Sequence, residues 1–196
     1  MSEFGFCRAC GSRVEQKIPS GDDRLRDVCP SCSHIHYENP KVIVGCLMHW
    51  ENTVLLCKRA IEPRMGLWTL PAGFMENKET TMVGAAREAY EEAYAESDDL
   101  RLFAVYNLPR ISQVYVMYVG ELRNGYCKPG VESLETALVA EKDIPWDQLA
   151  FPVVTETLHR YFELNDRTQW PVLSADIINR ADQPLDIIRH PVSSTD

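Results

Sequence analysis

From residue 41 onward the chain alternates short apolar runs with polar breaks. Residues 41–48 (KVIVGCLM) and 53–57 (TVLLC) read as strands, with Glu51-Asn52 between them as the turn of a hairpin. Residues 66–73 (GLWTLPAG) form a loop or short strand punctuated by Pro71. Residues 79–95 have helical periodicity, and Gly84 is the only glycine or proline among them. Residues 100–107 and 113–122 read as two more strands, and residues 146–164 as a second, amphipathic helix that Pro152 can break. The last thirty residues hold three prolines and mixed charge, the pattern of a loosely packed tail. Strands around one or two helices predict an α/β domain with a mixed sheet.

Composition sets the first segment apart. Residues 1–36 hold four of the seven cysteines and too few large aliphatic residues for a core of their own. The expected division is therefore 1–36 as a small unit, 37–165 as the main domain and 166–196 as a tail. Cys7-x-x-Cys10 and Cys29-x-x-Cys32 are separated by 18 residues, and two such turns suit a tetrahedral Zn²⁺ held by four thiolates. The alternative is a pair of disulfides or free thiols. His34 and His36 follow closely but are expected on the surface, because four sulfurs complete the site. With five basic and five acidic side chains, residues 1–36 carry no basic stripe, which favours a structural or dimer-forming ribbon over a nucleic-acid reader.

Charge and hydropathy narrow the function. The formal net charge of −9 argues against a nucleic-acid partner, whose affinity comes mostly from cations facing phosphates. No run reaches the roughly 18 apolar residues of a membrane helix, so no membrane partner is expected. The first residues show neither a secretory nor a transit pattern, so a cytoplasmic location is expected, where structural disulfides are rare. Cys46, Cys57 and Cys127 then read as core or strand thiols. An acidic protein acting on an anionic substrate needs local positive charge, and bound metal ions supply it.

The first helix carries candidate chemistry. At about 100° per residue, Glu88, Glu91 and Glu92 fall within an arc of about 100°. Met82, Ala86, Ala89 and Ala93 are expected opposite them as the packed face, with Val83 and Tyr90 alongside. Arg87 stands one turn before Glu91 and can pair with it. A solvated helix face is the plain alternative. Three like charges on one face repel, however, a cost that a cation such as Mg²⁺ converts into binding. The glycine-containing loop ahead of the helix also offers backbone carbonyls.

These residues match a known pattern. The Nudix signature is G-x5-E-x7-R-E-U-x-E-E-x-G-U, with U a bulky aliphatic residue. Gly73, Glu79, Arg87-Glu88 and Glu91-Glu92 fill every charged position at that spacing. The chain thus resembles Nudix hydrolases, which implies an α/β/α sandwich with a mixed sheet behind a small four-cysteine zinc ribbon. Two positions depart: Ala89 stands at the first aliphatic place, and Tyr94 replaces the late glycine that ends the helix in a left-handed conformation, which puts the helix terminus in question.

The resemblance also implies roles. Glu88 and Glu92 would bind catalytic Mg²⁺ or Mn²⁺ with the carbonyl of Ala72 or Gly73. Glu91 would share a metal or orient a water, and Arg87 and Glu79 would hold loop to helix. Water would attack one phosphorus of a nucleoside diphosphate linked to a group X. A later loop, residues 130–135, offers Glu132 and Glu135 as general base, with Glu135 preferred. The motif S-Q-P-W-P-F-P-x-S of NADH pyrophosphatases is absent from residues 106–114. The chain is more similar to zinc-ribbon Nudix enzymes acting on FAD and ADP-ribose, through Tyr37-Glu38-Asn39-Pro40-Lys41, Gly66–Gly73 and Pro129-Gly130 with residues 132–135. The substrate implied is therefore a small dinucleotide, FAD or ADP-ribose. Trp68, Phe74 and Tyr106 are candidates to stack on adenine or flavin, although each also reads as core. Related pyrophosphatases imply a homodimer. NADH or ADP-sugars are the enzymatic alternatives, and a nucleotide-sensing or nucleic-acid-binding module is the non-enzymatic one. That last reading would be marked by loss of a motif carboxylate, and none is lost.

Overall fold

Four cysteine side chains take the place of a hydrophobic core in the first of two units into which the chain divides, Met1–Asn39 and Pro40–Asp196. The computed structural model describes residues 5–164, 169–178 and 185–190. In the first unit, β1 (Glu15–Lys17), β2 (Arg26–Val28) and β3 (Ile35–His36) form an antiparallel sheet in that order. The four sulfurs lie within 4.8 Å of one another, with Cys7 to Cys32 at 3.7 Å and Cys10 to Cys29 at 3.4 Å. Tetrahedral zinc with bonds of about 2.3 Å needs sulfurs about 3.8 Å apart, so the cluster fits the ion. All seven cysteines are free thiols, which removes the disulfide alternative. Of the two nearby histidines, His34 is exposed as expected, but His36 is buried on β3.

The second unit is built on one large mixed sheet. Its elements are β4 (Lys41–Trp50), β5 (Thr53–Arg59), β6 (Trp68–Thr69), β7 (Ala72–Phe74), α1 (Thr81–Ala93), β8 (Arg101–Leu108), β9 (Gln113–Glu121), β10 (Ser133–Ala140), α2 (Pro152–Glu163), β11 (Leu173–Ile178) and β12 (Asp186–His190). The strand order is β10-β5-β4-β9-β8-β11-β12, with β6 paired to β5 and β7 to β4. β4 runs parallel to β9 and β8 parallel to β11. Strands covered on both faces read as nearly continuous apolar runs, which is why β4 and β5 lack clear polar alternation.

Two cores form on opposite faces of this sheet. Leu47, Val54 and Leu56 point to the side of α2, where they meet Val153, Leu158 and Tyr161. Val44, Cys46, Met48, Leu55 and Cys57 point to the side of α1, where they meet Ala85, Ala89 and Ala93. That is the helix–sheet–helix layering expected. The β4–β5 hairpin turns at Glu51-Asn52, with Trp50 opposite Thr53 and Glu51 at φ 51°. No helix among the described residues is long and apolar enough to cross a membrane.

Three expectations change. The second helix begins at Pro152 rather than breaking there, since proline at the first helical position gives up only an N–H that has no partner anyway. Residues 146–148 form a separate 3-10 turn. Residues 133–140 are a full edge strand, so the presumed loop at 130–135 ends at Glu132. The tail is not loosely packed throughout: β11 and β12 extend the sheet, with Leu173, Ala175 and Ile177 buried. Their alternation of buried and half-exposed positions marks a strand that the prolines around it obscured.

Candidate active site

β7 brings Ala72, Gly73 and Phe74 against β4, and the chain then turns into α1. Thr80 caps that helix, its hydroxyl accepting from the backbone N–H of Val83 at 3.3 Å. The packed side of α1 is Gly84, Ala85, Glu88, Ala89, Glu92 and Ala93, while Met82, Val83 and Tyr90 are exposed. The expected division of faces is therefore corrected. Glu88 and Glu92 share the packed side with the alanines, and Glu91 stands exposed beside them. Alanine and glycine let the helix lie close, and the longer glutamates occupy the room between α1 and β7. A Cβ at Gly73 would collide with the Glu88 carboxylate, which would have to move aside.

Arg87 organises the cluster. Its Nε and a terminal nitrogen donate to the two Glu79 oxygens at 3.1 and 2.9 Å. The other terminal nitrogen donates to Glu88 at 2.7 Å and to Glu91 at 2.9 Å. Glu79 also accepts the backbone N–H of Glu76 at 2.7 Å. The Arg87 guanidinium holds the Glu79 carboxyl below its ordinary value. Loop and helix are thus tied together by one guanidinium.

The two packed carboxylates behave in the opposite way. Burial pushes Glu92 up to about 8, and the charges of Glu88 and Glu132 push the same way, against partial relief from Arg59 and the backbone N–H of Ala72. Burial also raises Glu88, with Arg87 opposing it. Crowded, partly desolvated carboxylates with oxygen-only donors suit a hard divalent cation such as Mg²⁺ or Mn²⁺, whose charge would relieve the repulsion. Among the described residues only the four cysteines gather three or more metal-donor side chains within 4.8 Å, and Glu88 and Glu91 are each paired with Arg87.

The helix ends where the signature glycine would end it. Tyr94 adopts the left-handed conformation at φ 48°, its N–H donating to Tyr90 at 2.8 Å and that of Ala95 to Ala89 at 3.1 Å. The Tyr94 ring meets Tyr90 edge-on at 5.3 Å and lies under the Lys128 ammonium at 5.2 Å. These contacts help offset the roughly 1–2 kcal/mol cost of that conformation, so the terminus questioned from sequence is intact.

Of the two loop glutamates, Glu132 is the one whose charge reaches Glu88 and Glu92. Glu135 lies on β10 and pairs with Lys58 at 3.6 Å. A cavity of about 620 Å³ opens beside Ala72, Gly73 and Phe74, with three guanidiniums in its lining, Arg59, Arg64 and Arg110. Phe74 is among its lining residues. Tyr106 is not: it is fully buried in the core, its hydroxyl accepting from Thr157 at 3.3 Å. Trp68 packs against the α2-side core below the Lys58 ammonium and is not part of the cavity lining. Trp68 is half-buried, whereas Tyr106 sits on an interior strand whose neighbours leave it no exposure. The arginines, with Tyr115 and Phe151, were missed from the sequence. No local signal marked them, since they come from separate segments that meet only in the folded sheet.

Comparison with known proteins follows this geometry. Residues 39–160 match the family model described as the NUDIX domain, and residues 5–38 the one described as Nudix N-terminal. A NUDIX hydrolase crystal structure from Nitrosomonas europaea is 52% identical, with a TM-score of 0.84, covering 90% of this chain and 100% of that one. The NAD-capped RNA hydrolase NudC of Photobacterium profundum is 26% identical over 136 residues, 69% of this chain and 49% of the relative. An ADP-ribose pyrophosphatase of Methanocaldococcus jannaschii is 29% identical over 119 residues, 59% of this chain and 69% of the relative. The chain spans about half the length of the NudC relative it matches.

Proposed function

This chain belongs to the Nudix family, and we propose that it hydrolyses the pyrophosphate bond of a dinucleotide, with FAD or ADP-ribose as substrate. The observation that carries the reading is the pairing of two buried, mutually repelling glutamates with an adjoining cavity lined by three arginines. Glu88, Glu92 and the carbonyl of Ala72 or Gly73 would hold Mg²⁺ or Mn²⁺. The metal would supply Lewis-acid charge and a more acidic bound water. Glu91 would share in holding the cation.

The protein's own groups do the rest. Arg59, Arg64 and Arg110 bind the phosphates and orient the bridging oxygen. Arg87 and Glu79 keep α1 and β7 in register. Glu132 takes a proton from the attacking water, a role for which its charge, reaching both metal-side glutamates, fits it better than Glu135. The four cysteines would hold structural zinc, and seven free thiols fit a reducing compartment such as the cytoplasm.

Turnover of a panel of FAD, ADP-ribose, NADH and ADP-sugars with Mg²⁺ or Mn²⁺, with products identified, tests the reaction. Formation of AMP from FAD or ADP-ribose at the highest kcat/KM is the expected result, and no hydrolysis of any dinucleotide would overturn it. A preference for NADH would move only the substrate. For the base, Glu132→Gln is expected to lower kcat by about 10²–10⁴-fold and to remove a limb of its pH profile. Glu135→Gln should leave the profile unchanged. The reverse pattern would return the role to Glu135.

A further inference from the structure

The cavity does not stop at the signature loop. Its lining crosses the sheet from Ile43 on β4 to Tyr115 on β9, Leu108 on β8 and Ile177 on β11, and Leu185, the residue just before β12, is also part of it. Strands lie about 4.8 Å apart, so these three steps span about 14 Å. One end is the Ala72–Gly73 edge beside Glu88 and Glu92. The other is mostly aliphatic, made by Ile177, Leu185 and Leu108, with Arg110 in the turn just after Leu108. The strand pair that supplies Ile177 and Leu185 lies beyond residues 39–160, the span that matches the family model.

That strand pair is also anchored. Arg189 on β12 donates to Glu156 of α2 at 2.7 Å and to both oxygens of Glu163 at 2.8 and 3.2 Å. Glu156 is buried, so the pair is well shielded on one side. Asp176 on β11 accepts from Asn107 of β8 at 2.9 Å and meets His190 at 3.0 Å. The far wall is therefore a held surface.

We propose that β11 and β12 build a subsite for a flat, uncharged heteroaromatic ring at the end of the substrate remote from the carboxylates, with Ile177 and Leu185 as specificity-determining residues. The inference rests on the dinucleotide reading above. A ring placed against aliphatic side chains loses water from its faces, while the phosphates stay towards the Ala72–Gly73 end with Arg59 and Arg64. Only a substrate long enough to reach across β9 and β8 uses both ends.

Leu185→Asp tests this, because Leu185 is partly exposed and its replacement leaves the fold in place. On the dinucleotide that the wild type cleaves best, KM is expected to rise at least tenfold, with kcat within about threefold. Leu185→Met should restore the wild-type KM. Inorganic pyrophosphate, a ring-free competitive inhibitor, should keep its inhibition constant in both variants. An unchanged KM in Leu185→Asp would overturn the subsite, as would a parallel rise for pyrophosphate, which reports a general charge effect. Failure of the wild type to cleave any dinucleotide would instead sink the functional reading and the subsite with it.

Discussion

Replacing Glu92 by Gln is expected to lower turnover by about 10³-fold or more, roughly 4 kcal/mol of barrier, while making the metal-free protein more stable at pH 8. The two effects share one cause. Glu92 is buried beside Glu88, which raises its carboxyl from 4.5 to about 8. A carboxyl raised in the fold is held neutral there, so its contribution is intact below pH 4.5 and is lost as pH climbs towards 8. Over that window the wild type without metal loses on the order of 4 kcal/mol from this group. Glutamine stays neutral and escapes the loss. Metal-free Glu92→Gln should therefore melt with the wild type near pH 4.5 and above it at pH 8. Mg²⁺ should raise the wild-type melting temperature, with affinity increasing as pH approaches 8 because binding displaces a proton. It should do little for the variant. Thermal melts at both pH values, with and without Mg²⁺, check this. Wild-type kcat in the variant, or a lower melting temperature at pH 8, would refute the assignment of Glu92.

How far this cluster was legible in the sequence depends on what each residue answers to. The spacing of Gly73, Glu79, Arg87, Glu88, Glu91 and Glu92 was readable because helix geometry and one loop determine their positions. The face they occupy was not. A helical wheel ranks positions by polarity, and here two glutamates occupy the packed side because glycine and alanine leave them room. Two Cys-x-x-Cys turns needed nothing beyond local chain geometry to meet. β11, between β8 and β12, was obscured by the prolines around it, and β10 and β12 escaped notice because edge strands mix polar and apolar residues and take their identity from the neighbours they pair with. The cavity arginines were invisible for the same reason: β5, the loop after it and the turn between β8 and β9 come together only in the folded sheet. Tyr106 shows the opposite error, an aromatic residue that could stack on a ligand but whose place on a central strand sends it into the core.

Gly130→Ala is expected to be the most destabilising single-methyl change in the second unit. At Gly130 the added Cβ would fall on the carbonyl oxygen of Glu91, with the carbonyl carbons of Glu91 and Glu92 at 2.8 and 3.0 Å. These are backbone atoms at the end of α1, so no side chain can swing aside to make room. The loop must lift, and with it would go the bond from the Gly130 N–H to Glu92 at 2.9 Å and that from Lys128 to Ala93 at 2.8 Å. Overpacking of this kind costs about 1–3 kcal/mol before the two bonds are counted. A loss of about 3 kcal/mol lowers the melting temperature of a domain this size by roughly 10 °C. The same displacement moves Glu132, two residues on, away from Glu88 and Glu92, so kcat should fall even at temperatures where the variant is folded. Val131→Ala next door is the control: Val131 is 92% exposed, and its truncation should change stability by less than about 0.5 kcal/mol. If Gly130→Ala melts with the wild type and keeps its kcat, this loop does not hold Glu132 to the end of α1, and the general base must be sought elsewhere.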